Sequence, residues 1–130
     1  MQLSNFLRTI LKLDSASCLA MAAIVIPMAA MLEQPFGIEA AALSAAAVPL
    51  IPIGLFVLWL GTRPEAPVSL VAMVIIGNVA WAAASFAAAG SVPEITSLGQ
   101  IAVAAQGLAV LALALAEWKG LRSSREVSHA

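Results

Sequence analysis

The sequence predicts an all-α membrane protein, folded as an antiparallel bundle of four transmembrane helices. Apolar residues make up 62% of the 130 residues and charged residues 10%, whereas a soluble domain is about half apolar and about a quarter charged. Charged residues divide the chain into four long uncharged runs, each close to the roughly 20 residues that cross a bilayer as a helix. This composition excludes a disordered chain, a nucleic-acid-binding protein and a conventional soluble enzyme.

We expect a single domain in which short loops connect four consecutive transmembrane helices. The four spans are expected at residues 15–33, 40–60, 66–90 and 95–117, followed by a polar cytoplasmic tail at 118–130. Ahead of the first span, apolar residues recur at helical spacing with Arg8 and Lys12 on the opposite face. This pattern is typical of a short amphipathic helix at the membrane interface or of an extension of the first span. The same residues also suit a signal peptide, although no clear A-x-A cleavage site follows them.

The basic residues predict the orientation of the bundle. Four spans place both termini and the loop at residues 61–65 on one side, and that side carries every basic residue: Arg8, Lys12, Arg63, Lys119, Arg122 and Arg125. The opposite side carries only the acids Glu33, Glu39 and Glu94. Because Lys and Arg concentrate in short cytoplasmic loops, we expect both termini to be cytoplasmic in a multi-pass protein of the plasma membrane.

Several acids have a structural interpretation at helix ends. Thr62–Glu65 and Ser91–Glu94 each place Ser or Thr, Pro and Glu in the order of a capping box, which predicts a helix start at each. Glu117 lies at a helix C-terminus, where the helix dipole disfavours an acid, but basic residues that follow can neutralise it. Glu33 is also at a helix C-terminus and has no basic neighbour in the sequence.

Three polar residues lie deep in the predicted spans. Asn78 and Gln106 fall at matching depths of neighbouring antiparallel helices, so the first interpretation is a hydrogen bond between them that holds the third and fourth spans together. The alternative is a ligand or ion site at the midplane that also includes Trp81, because tryptophan ordinarily prefers the membrane interface. Pro49 and Pro52 interrupt helical hydrogen bonding in the second span and offer a possible cavity wall.

Asp14 is an acid on an otherwise apolar stripe. It continues the face of Leu7 and Ile10, so we expect it to point inward or toward the interface. It can serve as the N-cap of the first span or pair with Lys119 or Arg122 of the tail. A role in handling protons or cations is the alternative.

The chain contains few residues of the types that bind metals or cofactors. Cys18 is the one cysteine, so no disulfide or CxxC pair forms within the chain. His129 is the one histidine and lies in the polar tail, away from any position that could ligate an intramembrane haem or a multi-histidine metal centre. We therefore expect no catalytic, cofactor-binding or metal-ligating residues.

Two short segments and two single residues carry a resemblance to a known group: Leu11–Asp14, Asn78–Trp81, Gln106 and Glu117. With these residues the chain resembles a family of small, uncharacterised four-helix integral membrane proteins of the bacterial inner membrane. The resemblance implies that location and draws attention to Asp14 and to the midplane residues, without implying an activity. The acidic loop between the first two spans and the proline pair depart from that family.

Three functional hypotheses follow. The first is a non-enzymatic accessory or scaffold subunit that packs against itself or a larger membrane complex. The alternative is a small oligomeric channel or transporter with a midplane polar site at Asn78, Trp81 and Gln106. A third, an enzyme acting on lipid, requires Asp14 and Glu117 to share a cleft that lipid can reach.

Overall fold

The described residues fold into five helices. Together these helices make up four segments that are long and apolar enough to cross a membrane. The computed structural model describes the backbone of residues 1–129 and the side chains of residues 1–126. The helices are α1 (Asn5–Phe36), α2 (Ala40–Ala47), α3 (Leu50–Thr62), α4 (Val68–Ser91) and α5 (Ser97–His129). Because α2 and α3 together form one apolar segment, the predicted all-helical fold with four long apolar segments is confirmed.

Helix α1 includes the N-terminal segment, which is therefore an extension of the first long helix. Ser4 caps its start, with the side-chain oxygen accepting a hydrogen bond from the backbone N–H of Leu7 at 3.1 Å. Leu7, Leu11 and Asp14 form a buried stripe along one face, as their spacing predicts. The helix ends at Gly37, whose φ of 66° lies in the left-handed region that glycine adopts without strain.

The second long segment is interrupted. Val48 and Pro49 separate α2 from α3, since Pro49 has no backbone N–H to donate to the preceding helical turn. The start of α2 is stabilised by Glu33, whose Oε1 accepts a hydrogen bond from the backbone N–H of Ala40 at 3.2 Å. This bond explains an acid that has no basic neighbour in the sequence. Further along, Gly54 lets α3 approach α1 so closely that a Cβ there would lie 2.8 Å from Leu19.

The capping-box prediction is wrong for both of its segments. Thr62–Glu65 and Ser91–Glu94 precede helices that begin several residues later. Pro67 occupies the N-cap of α4 without a side-chain hydrogen bond. Thr96 precedes α5, and its hydroxyl accepts from the backbone N–H of Gly99 at 3.0 Å.

The two termini and the α3–α4 loop meet at one end of the bundle, which we call the terminal end. The backbone N–H of Leu3 donates to Pro64 at 2.9 Å, and that of Ala66 donates to Met1 at 3.0 Å. Pairing with the N-terminal residues keeps this part of the loop extended, which is why α4 starts late. The backbone N–H of Ser4 also donates to the Ser124 hydroxyl of α5, so described residues from near both ends of the sequence lie at this end of the bundle.

The predicted polar tail is a continuation of α5 as far as His129. It is not a free segment in its first part, because Leu121 is buried and the Ser124 hydroxyl accepts a hydrogen bond from the backbone N–H of Ser4 at 3.0 Å. Ala130, the last residue of the predicted tail, lies outside the described residues.

The helices pack in the order α3, α1, α5, α4, with α1 and α5 in the centre. A buried apolar core closes the terminal end: Leu3, Leu7, Leu11, Val57, Leu60, Ala66, Val71, Val74 and Leu121. Helices α3 and α4 make no comparable pairing with each other. A gap therefore opens between them beyond this core.

Candidate functional site

A cavity of about 440 Å³ occupies the gap between α3 and α4, with α1 and α5 behind it. We call it the cleft. Its volume falls within the range of about 300–1,000 Å³ that is typical of small-molecule sites. Its lining is mostly apolar, and its polar members are Ser17, Cys18, Asn78, Trp81 and Gln106. An apolar cavity with a few convergent polar groups is the usual form of a ligand site.

One group of polar residues joins α4 to α5, and we call it the amide cluster: Trp81, Ser85 and Gln106. The indole Nε1 of Trp81 donates to Gln106 Oε1 at 2.9 Å. Gln106 Nε2 donates to Ser85 Oγ at 2.6 Å and to the backbone oxygen of Val103 at 2.9 Å. Ser85 Oγ in turn donates to the backbone oxygen of Trp81 at 2.8 Å. Both ends of the Gln106 amide are therefore engaged within the protein.

A second group joins α1, α4 and α5, and we call it the acid cluster: Asp14, Asn78 and Glu117. Asn78 Nδ2 donates one hydrogen bond to Asp14 Oδ2 and another to Glu117 Oε1, both at 2.7 Å. The two carboxylate oxygens therefore lie no farther apart than twice that distance. Asp14 is 1% exposed and Glu117 is 0% exposed. Two acidic side chains thus share one neutral donor in the interior of the bundle.

The acid cluster has no basic partner among the described side chains. No Lys or Arg side chain of that part of the chain donates a hydrogen bond to Asp14 or Glu117, and Glu117 Oε2 is a buried oxygen without any hydrogen-bond partner. Besides Asn78, the neighbouring donor is the thiol of Cys18, whose Sγ lies 3.8 Å from Asp14 Oδ1. Unpaired polar atoms are rare in protein interiors, so an orphaned carboxylate oxygen requires an explanation.

Asn78 belongs both to the acid cluster and to the cleft wall. Each of its two amide hydrogens is used by one carboxylate. Its carbonyl oxygen Oδ1 accepts no hydrogen bond from the described residues. Since the Gln106 amide is engaged elsewhere, Asn78 is the amide of the cleft wall whose oxygen has no donor among the described residues.

The structure brings the predicted midplane residues together but changes their pairing. Asn78, Trp81 and Gln106 all line the cleft. The predicted bond between Asn78 and Gln106 is wrong, because Asn78 binds the two acids and Gln106 binds Trp81. Carboxylates accept stronger hydrogen bonds than an amide oxygen does, which explains why Asn78 turns toward Asp14 and Glu117.

Asp14 points inward, as its position on the apolar stripe predicts, but neither structural interpretation of it holds. Ser4, rather than Asp14, is the N-cap of the first long helix. Asp14 makes no ion pair with Lys119 or Arg122 among the described side chains. It bonds to Asn78 across the bundle instead.

Glu117 is the residue of the site that the sequence interpretation assigned wrongly. The sequence predicts that the basic residues after Glu117 neutralise its charge. In the structure its side chain is fully buried and bonds to Asn78 instead. A signal was present in the sequence: Glu117 lies about three helical turns after Gln106 and so shares its face of α5. The proline prediction holds for Pro52, which lines the cleft beside Leu50.

Comparisons with known proteins add no further constraint. No family model, curated protein or solved structure matches the chain, and the resemblance to a bacterial inner-membrane family stays a prediction. Within the described residues, no group of three His, Cys, Asp or Glu side chains is placed to hold a metal ion.

Proposed function

We propose that this chain is a multi-pass membrane protein that binds a small, largely apolar molecule in the cleft and carries it through the membrane. The molecule would present a positive charge or a hydrogen-bond donor to Asn78. In this proposal both termini are cytoplasmic, and the membrane is the bacterial inner membrane that the family resemblance implies. The proposal takes up the transporter hypothesis and sets aside the accessory subunit.

The outer surface of the bundle supports placement in a bilayer. Many large apolar side chains are exposed on it, including Met31 (70%), Ile76 (68%) and Ile101 (65%). Soluble proteins rarely expose extended apolar surfaces of this kind. At the terminal end Trp59 and Trp118 are exposed, which suits the aromatic belt of a membrane interface.

The observation that carries the functional proposal is the unpaired acceptor of Asn78 at the wall of an apolar cleft. The apolar lining favours a ligand with little polar surface, since each apolar contact removes area from water. The free Oδ1 favours a donor at one end of that ligand. Behind Asn78, two acidic side chains without a basic partner make the local field negative, which favours a cation over an anion.

The competing hypotheses explain these features less well. An accessory or self-associating subunit needs neither an internal cleft nor buried acids, and ionisable groups within a bilayer are costly to retain. An enzyme acting on lipid would need accessible carboxylates, but Asp14 and Glu117 are 1% and 0% exposed. A site for a small molecule uses the cleft and both clusters at once.

Binding of tetraphenylphosphonium tests the proposal, because tetraphenylborate is an anion of matching shape and provides a built-in control. The chain has three tryptophans, so replacing Trp59 and Trp118 by Phe leaves Trp81 as the fluorophore in the cleft. We expect a saturable change in Trp81 emission with the phosphonium ion. The borate ion should bind about tenfold more weakly or not at all, a difference of about 1.4 kcal/mol.

Two glycines of α4 provide a matched pair of variants. A Cβ added at Gly77 or at Gly90 meets no atom within 4 Å, but only Gly77 lines the cleft. We expect Gly77→Leu to fill the cleft and weaken phosphonium binding at least about tenfold, while Gly90→Leu leaves it unchanged. If both ions change the emission without saturation, or Gly77→Leu binds as the parent protein does, the proposed function is wrong and the accessory subunit is favoured.

A further inference from the structure

We infer that Asp14 and Glu117 together form a binding site for one exchangeable proton, and that Asn78 couples this site to the cleft so that the proton and a cationic ligand compete. The coupling rests on the proposed function. The proton site depends on the acid cluster alone.

The geometry of the acid cluster favours a single shared proton. Asn78 Nδ2 is 2.7 Å from an oxygen of each acid, so two carboxylates are held close together by a neutral group that cancels neither charge. Adding one proton changes the cluster from two negative charges to one and removes the repulsion between them. Paired carboxylates that hold one proton between them are a recurring arrangement in proteins.

The structure also contains a position for the proton. Glu117 Oε2 is buried and has no hydrogen-bond partner, so a proton can add there without breaking a bond that Asn78 makes. In the reaction a proton leaves water and forms an O–H bond at this oxygen. On release the O–H bond breaks, its electron pair stays on the carboxylate and the proton returns to water.

The neighbours of the acids favour a proton over a metal cation. The two N–H groups of Asn78 occupy the position between the carboxylates, where they would repel a metal ion. The other titratable group that faces the pair is the Cys18 thiol on α1. Helices α2, α3 and α4 contain no Asp, Glu, Lys, Arg, His or Cys, so they contribute no charge to the site.

Asn78 provides the physical connection to the cleft. Its nitrogen holds both acids while its oxygen remains available to a ligand. A cation in the cleft is attracted by two negative charges behind Asn78 more strongly than by one. Because binding linkage is reciprocal, a ligand that prefers the unprotonated pair must lower the affinity of the pair for its proton, and binding should release about one proton.

Infrared difference spectroscopy tests the proton site without any ligand. In a pH titration of the purified protein we expect a carboxylic-acid C=O band that shifts in heavy water and disappears in Glu117→Gln. The band should persist in Glu126→Gln, a matched change at an exposed acid of the same helix. If Glu117→Gln does not fold, Asp14→Asn must abolish the same titration. A titration that survives Asp14→Asn, or a protein with no such band at any pH, overturns the inference.

The affinity for tetraphenylphosphonium at different pH values tests the coupling. Through the pH range in which the pair titrates, we expect affinity to rise with increasing pH, by at most about tenfold for each unit. A pH indicator in weak buffer should report the release of up to one proton for each bound cation. Both effects should be absent in Glu117→Gln. Saturable binding that does not depend on pH overturns the coupling and leaves the proposed function intact. A titrating band without phosphonium binding contradicts the proposed function and the coupling, while the proton site stands.

Discussion

The acid cluster and the amide cluster lie in the same bundle, but they satisfy their hydrogen bonds differently. In the amide cluster, Gln106 uses its oxygen and its nitrogen within the protein, and Trp81 has its one donor engaged. In the acid cluster, Asn78 uses both of its donors, yet Glu117 keeps an oxygen without a partner. Both clusters use α4 and α5, whereas only the acid cluster reaches α1.

This difference indicates a structural role for the amide cluster and favours a functional role for the acid cluster. A fully paired network holds two helices at a fixed spacing and has nothing left to offer a ligand. A network with an orphaned oxygen and two acids keeps the capacity to take up a proton. In our proposal the amide cluster holds the cleft wall in place, and the acid cluster is the part that changes its protonation state.

The largest effect is expected from Asn78→Leu, which removes the donor that both acids share. Two buried carboxyl groups then lose their partner at once, and hydrogen bonds to charged groups are the most costly to break. We expect a loss of about 3 kcal/mol or more in the free energy of unfolding, measured in lipid bicelles. Val79→Leu, at the exposed neighbouring position, serves as the control. A loss near that of the control would mean that the acids do not depend on Asn78.

A smaller effect is expected from Gln106→Leu, which removes the acceptor of the Trp81 indole and the donor to the Ser85 hydroxyl. Hydrogen bonds between membrane helices contribute about 0.6 kcal/mol on average and up to about 1.7. We therefore expect a loss of about 1–2 kcal/mol by the same measurement. Gln100→Leu is the comparison, because Gln100 is an exposed amide on the same helix that donates one hydrogen bond to the Ala89 backbone oxygen of α4 at 3.1 Å. Equal losses in the two variants would contradict the structural role of the amide cluster.

The smallest effect is expected from Trp81→Phe, which keeps an aromatic ring but removes a single hydrogen bond. The loss should be about 0.6 kcal/mol, the average for one such bond in a membrane. Trp118→Phe, at an exposed position, provides the comparison. If Trp81→Phe proved more destabilising than Gln106→Leu, the ring packing of Trp81 rather than its hydrogen bond would dominate the cluster.

Much of the fold could be predicted because apolar length and charge position are properties of the sequence itself. The four long apolar segments, the shared end of the two termini and the inward position of Asp14 all follow from such one-dimensional patterns. The residues at which helices begin are harder to predict. The N-terminal residues pair with the loop around Pro64, and this long-range contact overrides the local capping signal.

The sequence could predict which polar residues form the site, but not which of them bond to each other. Depth along a span identifies Asn78 and Gln106 as candidates for contact, but it does not give the order in which helices pack. Asn78 bonds to Asp14 of α1 and to Glu117 of α5, so its partners come from two helices and neither follows from its depth along α4. For Glu117, the basic residues next to it in the sequence suggest a local partner, whereas its position on the helical face of Gln106 points to a distant one.

The central position of α1 and α5 affects how the protein is made. Of the five helices, α1 is synthesised first and α5 last, and these two form the middle of the bundle. Asp14 and Asn78 are synthesised well before Glu117, and Trp81 before Gln106. Chains grow from the N-terminus at a limited rate, so neither cluster can be completed until the final helix has been inserted. Before α5 is present, Asp14 and Asn78 lack Glu117 and Trp81 lacks Gln106, so the interior of the bundle is completed only when α5 packs against α1 and α4.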